Sequence, residues 1–149
     1  MDRKGNSLAP GGCKFSTHFD ARLEAVPFAL DFVATALRTG GVADERIARS
    51  ELILEELFRN AVLHGYGGNA GGIWVGVCLP DDADPGFWLE DEAPPFNPLT
   101  GSVDHHAPDP GQAIAAQPVG GVGLLLIRQL SRHVEHAIID GRNRTTVTI

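Results

Sequence analysis

The sequence predicts a two-layer α/β sandwich of the α+β kind, with a mixed, mostly antiparallel sheet and its helices on one face. Three observations carry this. Two pairs of β-rich runs, 73–79 with 86–91 and 134–139 with 145–149, are each joined by a short loop of turn-forming residues, as antiparallel neighbours are. Two long runs with helical apolar spacing, 21–38 and 44–63, lie together ahead of the first pair. A third helical run, 123–132, separates the pairs, so helices and hairpins come in blocks rather than alternating one for one.

Residues 1–12 are polar with Gly and Pro, and read as a disordered lead-in to a single domain over 13–149. Residues 13–19 (CKFSTHF) alternate as a strand does. The helix over 21–38 tolerates Pro27 only because it falls near the first turns, and Gly40-Gly41 stops it. Asp44 is expected to cap the second helix, which runs to about Leu63 and stops at Gly65. A glycine-rich turn, 65–72, leads into the first hairpin, whose loop is 80–85. Residues 97–119 hold four prolines and two adjacent histidines without any periodic pattern. A structureless segment of that length inside a domain is expected to be a functional loop or lid. Asp140-Gly141 supplies the final turn.

The chain has 149 residues, enough to bury a sizeable core, and its 43% hydrophobic and 21% charged content is that of an ordinary globular domain. A net charge of −7 without a basic cluster excludes a general nucleic-acid binder. No run approaches the roughly 18 apolar residues of a membrane span, and no signal-peptide pattern follows Met1. Cys13 and Cys78 are too few for a disulfide framework and lack metal-ligand spacing, so a reduced, cytoplasmic setting is the simplest reading.

Three groups of residues carry chemistry. Glu56 and Asn60 stand four apart near the end of an otherwise apolar helix, which puts a carboxylate and a carboxamide on one face, one turn apart. The carboxylate can take a proton, and the amide oxygen is a hard ligand suited to Mg²⁺. Glu55 faces about 100° away and is only a neighbour. Gly120-Gly121-Val122-Gly123-Leu124 opens the third helix, where close backbone approach and unpaired N–H groups can cradle phosphate. It is not a Walker loop, because no Gly-Lys-Ser/Thr follows. Asp91, at a strand end before Ala93-Pro94-Pro95-Phe96, could accept a hydrogen bond from an exocyclic amino group such as that of adenine. His64 reads as a helix-end residue, His105 and His106 as solvated lid residues, and Trp74 and Trp88 as core or sheet-face aromatics.

Taken in this order, the three groups resemble the histidine-kinase-like ATPase superfamily, and within it the small anti-sigma-factor serine kinases. The helix pattern E-x-x-x-N-A-x-x-H is matched by Glu56, Asn60, Ala61 and His64; D-x-G-x-P-F by Asp91, Pro95 and Phe96; G-G-x-G-L-x-L-I by Gly120, Gly121, Gly123, Leu124, Leu126 and Ile127. The resemblance spans about residues 13–149. It implies ATP and Mg²⁺ as cofactors, Asn60 as the Mg²⁺ ligand, and Glu56 as general base toward a serine of a partner protein. It also implies Asp91, Ala93 and Phe96 around adenine, Gly121, Val122, Gly123 and Leu124 at the phosphates, and 97–119 as the ATP lid. The implied partners are a sigma factor, an antagonist protein that is phosphorylated, and a second copy of the chain; no nucleic acid or membrane is implied.

Two positions depart from the pattern. Ala93 stands where the family has glycine, and would be strained if the backbone there required positive φ. A reshaped adenine pocket would favour the alternative of a non-catalytic nucleotide-sensing module of the same fold. Arg132 stands where the kinases carry an acid, which bears on a partner surface.

Overall fold

The computed structural model describes residues 13–99 and 121–149, and only the backbone of Lys14, Gly121 and Val122. The proposed lead-in, 1–12, and nearly all of the proposed lid, with His105, His106 and Gly120, lie outside the described residues. The elements follow as β1 (Cys13–Asp20), α1 (Val26–Thr39), α2 (Asp44–Asn60), β2 (Gly72–Cys78), β3 (Gly86–Asp91), α3 (Gly121–Leu130), β4 (His133–Ile139) and β5 (Arg142–Thr148). The sheet order is β1-β2-β3-β5-β4, and every pairing is antiparallel. The sheet is therefore not mixed, because each neighbouring pair is either a hairpin or an antiparallel return.

Alternation along the strands builds the core. Ile73, Val75 and Val77 of β2, Phe87 and Leu89 of β3 and Val147 of β5 are buried against Val33 and Leu37 of α1 and Ile53, Leu54, Leu57 and Phe58 of α2. Ile127 closes the α3 side, fully buried.

Helix ends depart from the sequence expectations in physically simple ways. A 3-10 turn, Leu23–Ala25, precedes α1, so that Pro27 falls in the first turn, where its missing N–H costs no hydrogen bond. The α1 C-terminus is a Schellman motif: the Val42 N–H donates to Leu37 O and the Gly41 N–H to Arg38 O, with Gly41 at φ 80°. Asp44 does not cap α2. Ala43 occupies the cap without a side-chain bond, and Asp44 lies one residue inside, where its charge meets the positive helix end. The α2 helix does not reach Leu63 as α-helix; it widens at Ala61–Gly65 into a π-helical turn closed by Tyr66 N–H donating to Ala61 O. In α3 the helix begins two residues earlier than its apolar spacing suggested. Between β4 and β5, Asp140 (φ 52°) and Gly141 (φ 79°) form the two-residue reverse turn with both φ positive.

The face of the sheet away from the helices carries a layer of its own. The Arg142 guanidinium stacks on Trp74 at 3.6 Å and that of Arg144 on Trp88 at 4.5 Å. Buried Glu90 pairs with both arginines. Gly76 leaves room for this layer, since a Cβ there would strike the Trp88 ring.

The cysteines overturn the expectation. Cys13 and Cys78 face each other across β1 and β2 and form a disulfide, 65 residues apart in sequence. One bridge needs no framework, only two cysteines at the same rung of an antiparallel pair, and that register is not visible from spacing. The expectation of a reduced setting loses its basis. Among the described residues, no helix is long and apolar enough to cross a membrane.

The bridge closes a long loop, so a chain-entropy account gives it about 4 kcal/mol. Cys13→Ser should lower the unfolding free energy obtained from a denaturant melt by that amount, and reductant should bring the wild type to the same value; thiol labelling of the unfolded, unreduced protein should find no free cysteine.

Candidate nucleotide site

The site is built where α2, β3, β5 and the start of α3 converge. Asn60 ends α2 and is 7% exposed. Its Nδ2 is buried without a partner, and its Oδ1 accepts no hydrogen bond from the described residues. An amide that is buried and unsatisfied costs folding free energy, so it marks a position kept for another purpose. It sits one residue before the π-helical turn, a distortion common at functional sites.

Glu56, one turn earlier, is half-buried and makes no hydrogen bond or ion pair among the described residues. Its carboxylate lies against the backbone of Gly123, where any Cβ would collide with it. Gly123 thus admits Glu56 to the first turn of α3. The N–H groups of that turn, from Gly121 to Leu124, have no carbonyl four residues back within the helix. Glu56 is thereby brought to the first turn of α3, with Asn60 one turn further along α2.

Asp91 ends β3 and is 7% exposed. Its Oδ1 accepts from Asn143 Nδ2 at 2.8 Å and from the Ala93 N–H at 3.1 Å. Its Oδ2 accepts nothing among the described residues and is left as an acceptor. Burial pushes the carboxyl above the ordinary carboxylate range, the two hydrogen bonds offset part of that, and neighbouring Glu90 adds to the rise.

The residue that sequence reasoning missed is Asn143, which the expected last strand, 145–149, leaves out and β5 takes in. It is the register partner of Asp91 on β5, so both side chains share one face. Besides Asp91, its Nδ2 reaches Ala93 O at 3.1 Å and Pro94 O at 3.3 Å, while its Oδ1 accepts the Phe96 N–H at 3.1 Å. One buried amide thereby shapes the whole 91–96 loop. The signal available in the sequence was a polar residue at an inward position of the final strand. Thr145, two residues on, is buried beside it and lines the same cavity.

Ala93 resolves differently from its expectation. Asp140 is the one non-glycine residue with positive φ among those described, so Ala93 carries no left-handed strain. Its methyl fills space beside Gly65, where an added Cβ would come within 3.3 Å of it. Phe96 and Pro98 lie over the cavity between Asn60 and Asp91, which has about 10 Å³ free, room for about one water. Asn97 accepts the Leu99 N–H, and Arg128 of α3 reaches Leu99 O at 3.4 Å, so the first residues of the expected lid are tied to α3.

The remaining candidates fall outside the site. His64 is exposed on the π-helical turn, and no cluster of metal-ligating side chains occurs among the described residues. Trp74 and Trp88 belong to the far face of the sheet. Arg132 pairs at 3.5 Å with Asp84, away from the cavity.

The raised pKa of Asp91 has a sign that can be measured. The folded state holds this proton more tightly than the unfolded chain does. The protonated form therefore contributes stability that is complete below the unfolded value of about 3.9 and is lost as pH rises through the raised one. Asp91→Asn keeps the Asn143 bond and cannot ionise. It should melt higher than wild type at neutral pH, with the gap closing as the pH falls toward 4; a gap independent of pH would contradict the assignment.

A family model described as the histidine kinase-like ATPase domain matches residues 19–149, while no curated protein matches the chain. That span begins within β1 and takes in every residue of the cavity just described. With an antiparallel five-stranded sheet and three α-helices among the described residues, and with nucleotide binding as the activity this domain supports, the chain belongs to the histidine kinase-like ATPase family.

Proposed function

We propose that the chain is an ATP-dependent serine/threonine protein kinase of the anti-sigma-factor type, which phosphorylates an antagonist protein and regulates a sigma factor by switching between the two. The observation that carries this reading is Glu56. A half-buried carboxylate with no partner among the described residues, one turn from Asn60 and against Gly123, is placed to serve a reaction rather than the fold.

In this reading Asp91 Oδ2 accepts from the exocyclic amino group of adenine, and Phe96 closes on the base. The first-turn N–H groups of α3 take the phosphate oxygens. Asn60 would hold Mg²⁺ through its amide oxygen, and the ion, when bound, neutralises phosphate charge. Glu56 takes the proton from the partner's serine hydroxyl as its oxygen bonds to the γ-phosphorus and the bond to the ADP oxygen breaks. Phosphoryl transfer asks mainly for positioning and charge neutralisation, which one base, one amide and one helix end can supply.

The non-catalytic alternative rested on strain at Ala93, and the absence of positive φ there leaves it without a supporting observation. The test is incubation with γ-labelled ATP, Mg²⁺ and the antagonist protein. Glu56→Gln should reduce serine labelling by about 10²–10⁴-fold while keeping ATP-dependent thermal stabilisation. Asn60→Ala should lose the Mg²⁺-dependent part of that stabilisation. Undiminished labelling by Glu56→Gln would remove Glu56 as the base, and no thermal shift of the wild type at millimolar ATP would overturn the kinase reading altogether.

A further inference from the structure

Tyr66 immediately follows the π-helical turn, and its side chain crosses from the helix layer to the sheet. Its hydroxyl donates to Gly72 O at 2.6 Å and accepts the Glu92 N–H at 2.7 Å. Gly72 begins β2, and Glu92 is the residue after Asp91. One oxygen therefore joins three segments: the end of the helix that carries Asn60, the start of β2, and the end of the strand that carries Asp91. The ring fits closely, since a Cβ on Gly71 would strike it. The backbone N–H of Tyr66 closes the π-helical turn on Ala61, next to Asn60.

The hydroxyl donates one hydrogen bond and accepts another, and burial makes it a weaker acid than an ordinary phenol. Among the described residues no other side-chain hydrogen bond joins the end of the π-helical turn to the end of β3, although Gly65 lies so near Ala93 that an added Cβ would come within 3.3 Å of its methyl. The two walls of the cavity, Asn60 on one side and Asp91 on the other, belong to separate layers, and their spacing must be set by some such tie.

We propose that the Tyr66 hydroxyl is a positioning strut that fixes the distance between the Asn60 wall and the Asp91 wall of the nucleotide site. It rests on the nucleotide reading above and adds a regulation of ligand length. A ligand held at both walls, a nucleoside triphosphate with its Mg²⁺, benefits from the fixed spacing. A ligand held at one wall, a nucleoside, does not. Tyr66 touches no ligand and acts through the backbone of β3 and the π-helical turn.

Tyr66→Phe keeps the ring and removes the tie. Calorimetry with Mg·ATP and with adenosine reads the consequence. The Kd for Mg·ATP should rise about tenfold, the value of one or two lost hydrogen bonds, while the Kd for adenosine stays within about twofold. Glu92→Pro, at an exposed position, removes the N–H on the Asp91 side and should give the same split with Tyr66 intact. Equal weakening of both ligands would mean general loosening and would overturn the strut, as would no change in either. A wild type that binds neither ligand would overturn the nucleotide reading itself, an outcome distinct from both.

Discussion

The hydrogen bond from the Asn143 amide to the Asp91 carboxylate is the constraint on which the candidate site depends. It spans 52 residues of sequence and two adjacent strands, and it fixes a carboxyl group in surroundings that disfavour its charge. The same amide turns the 91–96 loop by three further hydrogen bonds, so the position of Phe96 over the cavity follows from it. A fold selected for stability alone would replace such a pair with apolar side chains, because buried polar groups rarely repay their desolvation. Retaining it is consistent with a site whose acceptor must be fixed before any ligand arrives.

The opposite wall follows a complementary logic. Asn60 and Glu56 are left short of partners, and the helix that carries them is distorted just beyond. Glycines are placed where side chains must approach backbone: Gly123 beneath the Glu56 carboxylate and Gly71 beneath the Tyr66 ring. One wall is over-tied and the other under-satisfied, and Tyr66 bridges them. The far face of the sheet, with its arginines stacked on tryptophans around Glu90, stiffens β3 and β5 from behind without entering the cavity.

The parts of this arrangement legible in the sequence are those governed by local periodicity. Strand and helix positions, the Asp140-Gly141 turn and the four-residue spacing of Glu56 and Asn60 all depend on neighbours within a few residues. What escaped depends on register between distant segments. The Cys13–Cys78 bridge requires knowing that β1 and β2 pair at that rung, and the part played by Asn143 requires knowing that β5 lies against β3 rather than at an edge. The missed cap at Asp44 and the π-helical turn after Asn60 are smaller cases, in which tertiary packing decided a helix end that local rules leave open. Ala93 is the instructive case in the other direction. Strain there was expected only if the backbone required positive φ, and the backbone does not.

The strand order has a consequence for the order of events in folding. Because β5 inserts between β3 and β4, the last strand of the sequence completes the middle of the sheet and not its rim. Asp91 acquires its amide partner only once that strand has docked, whereas β1, β2, β3 and the two long helices can already meet without it. Contacts so distant along the chain carry a loop-closure cost and form late. During synthesis, the growing chain would hold most of its core before it held a shaped site, so ligand capture becomes a report that β5 has docked.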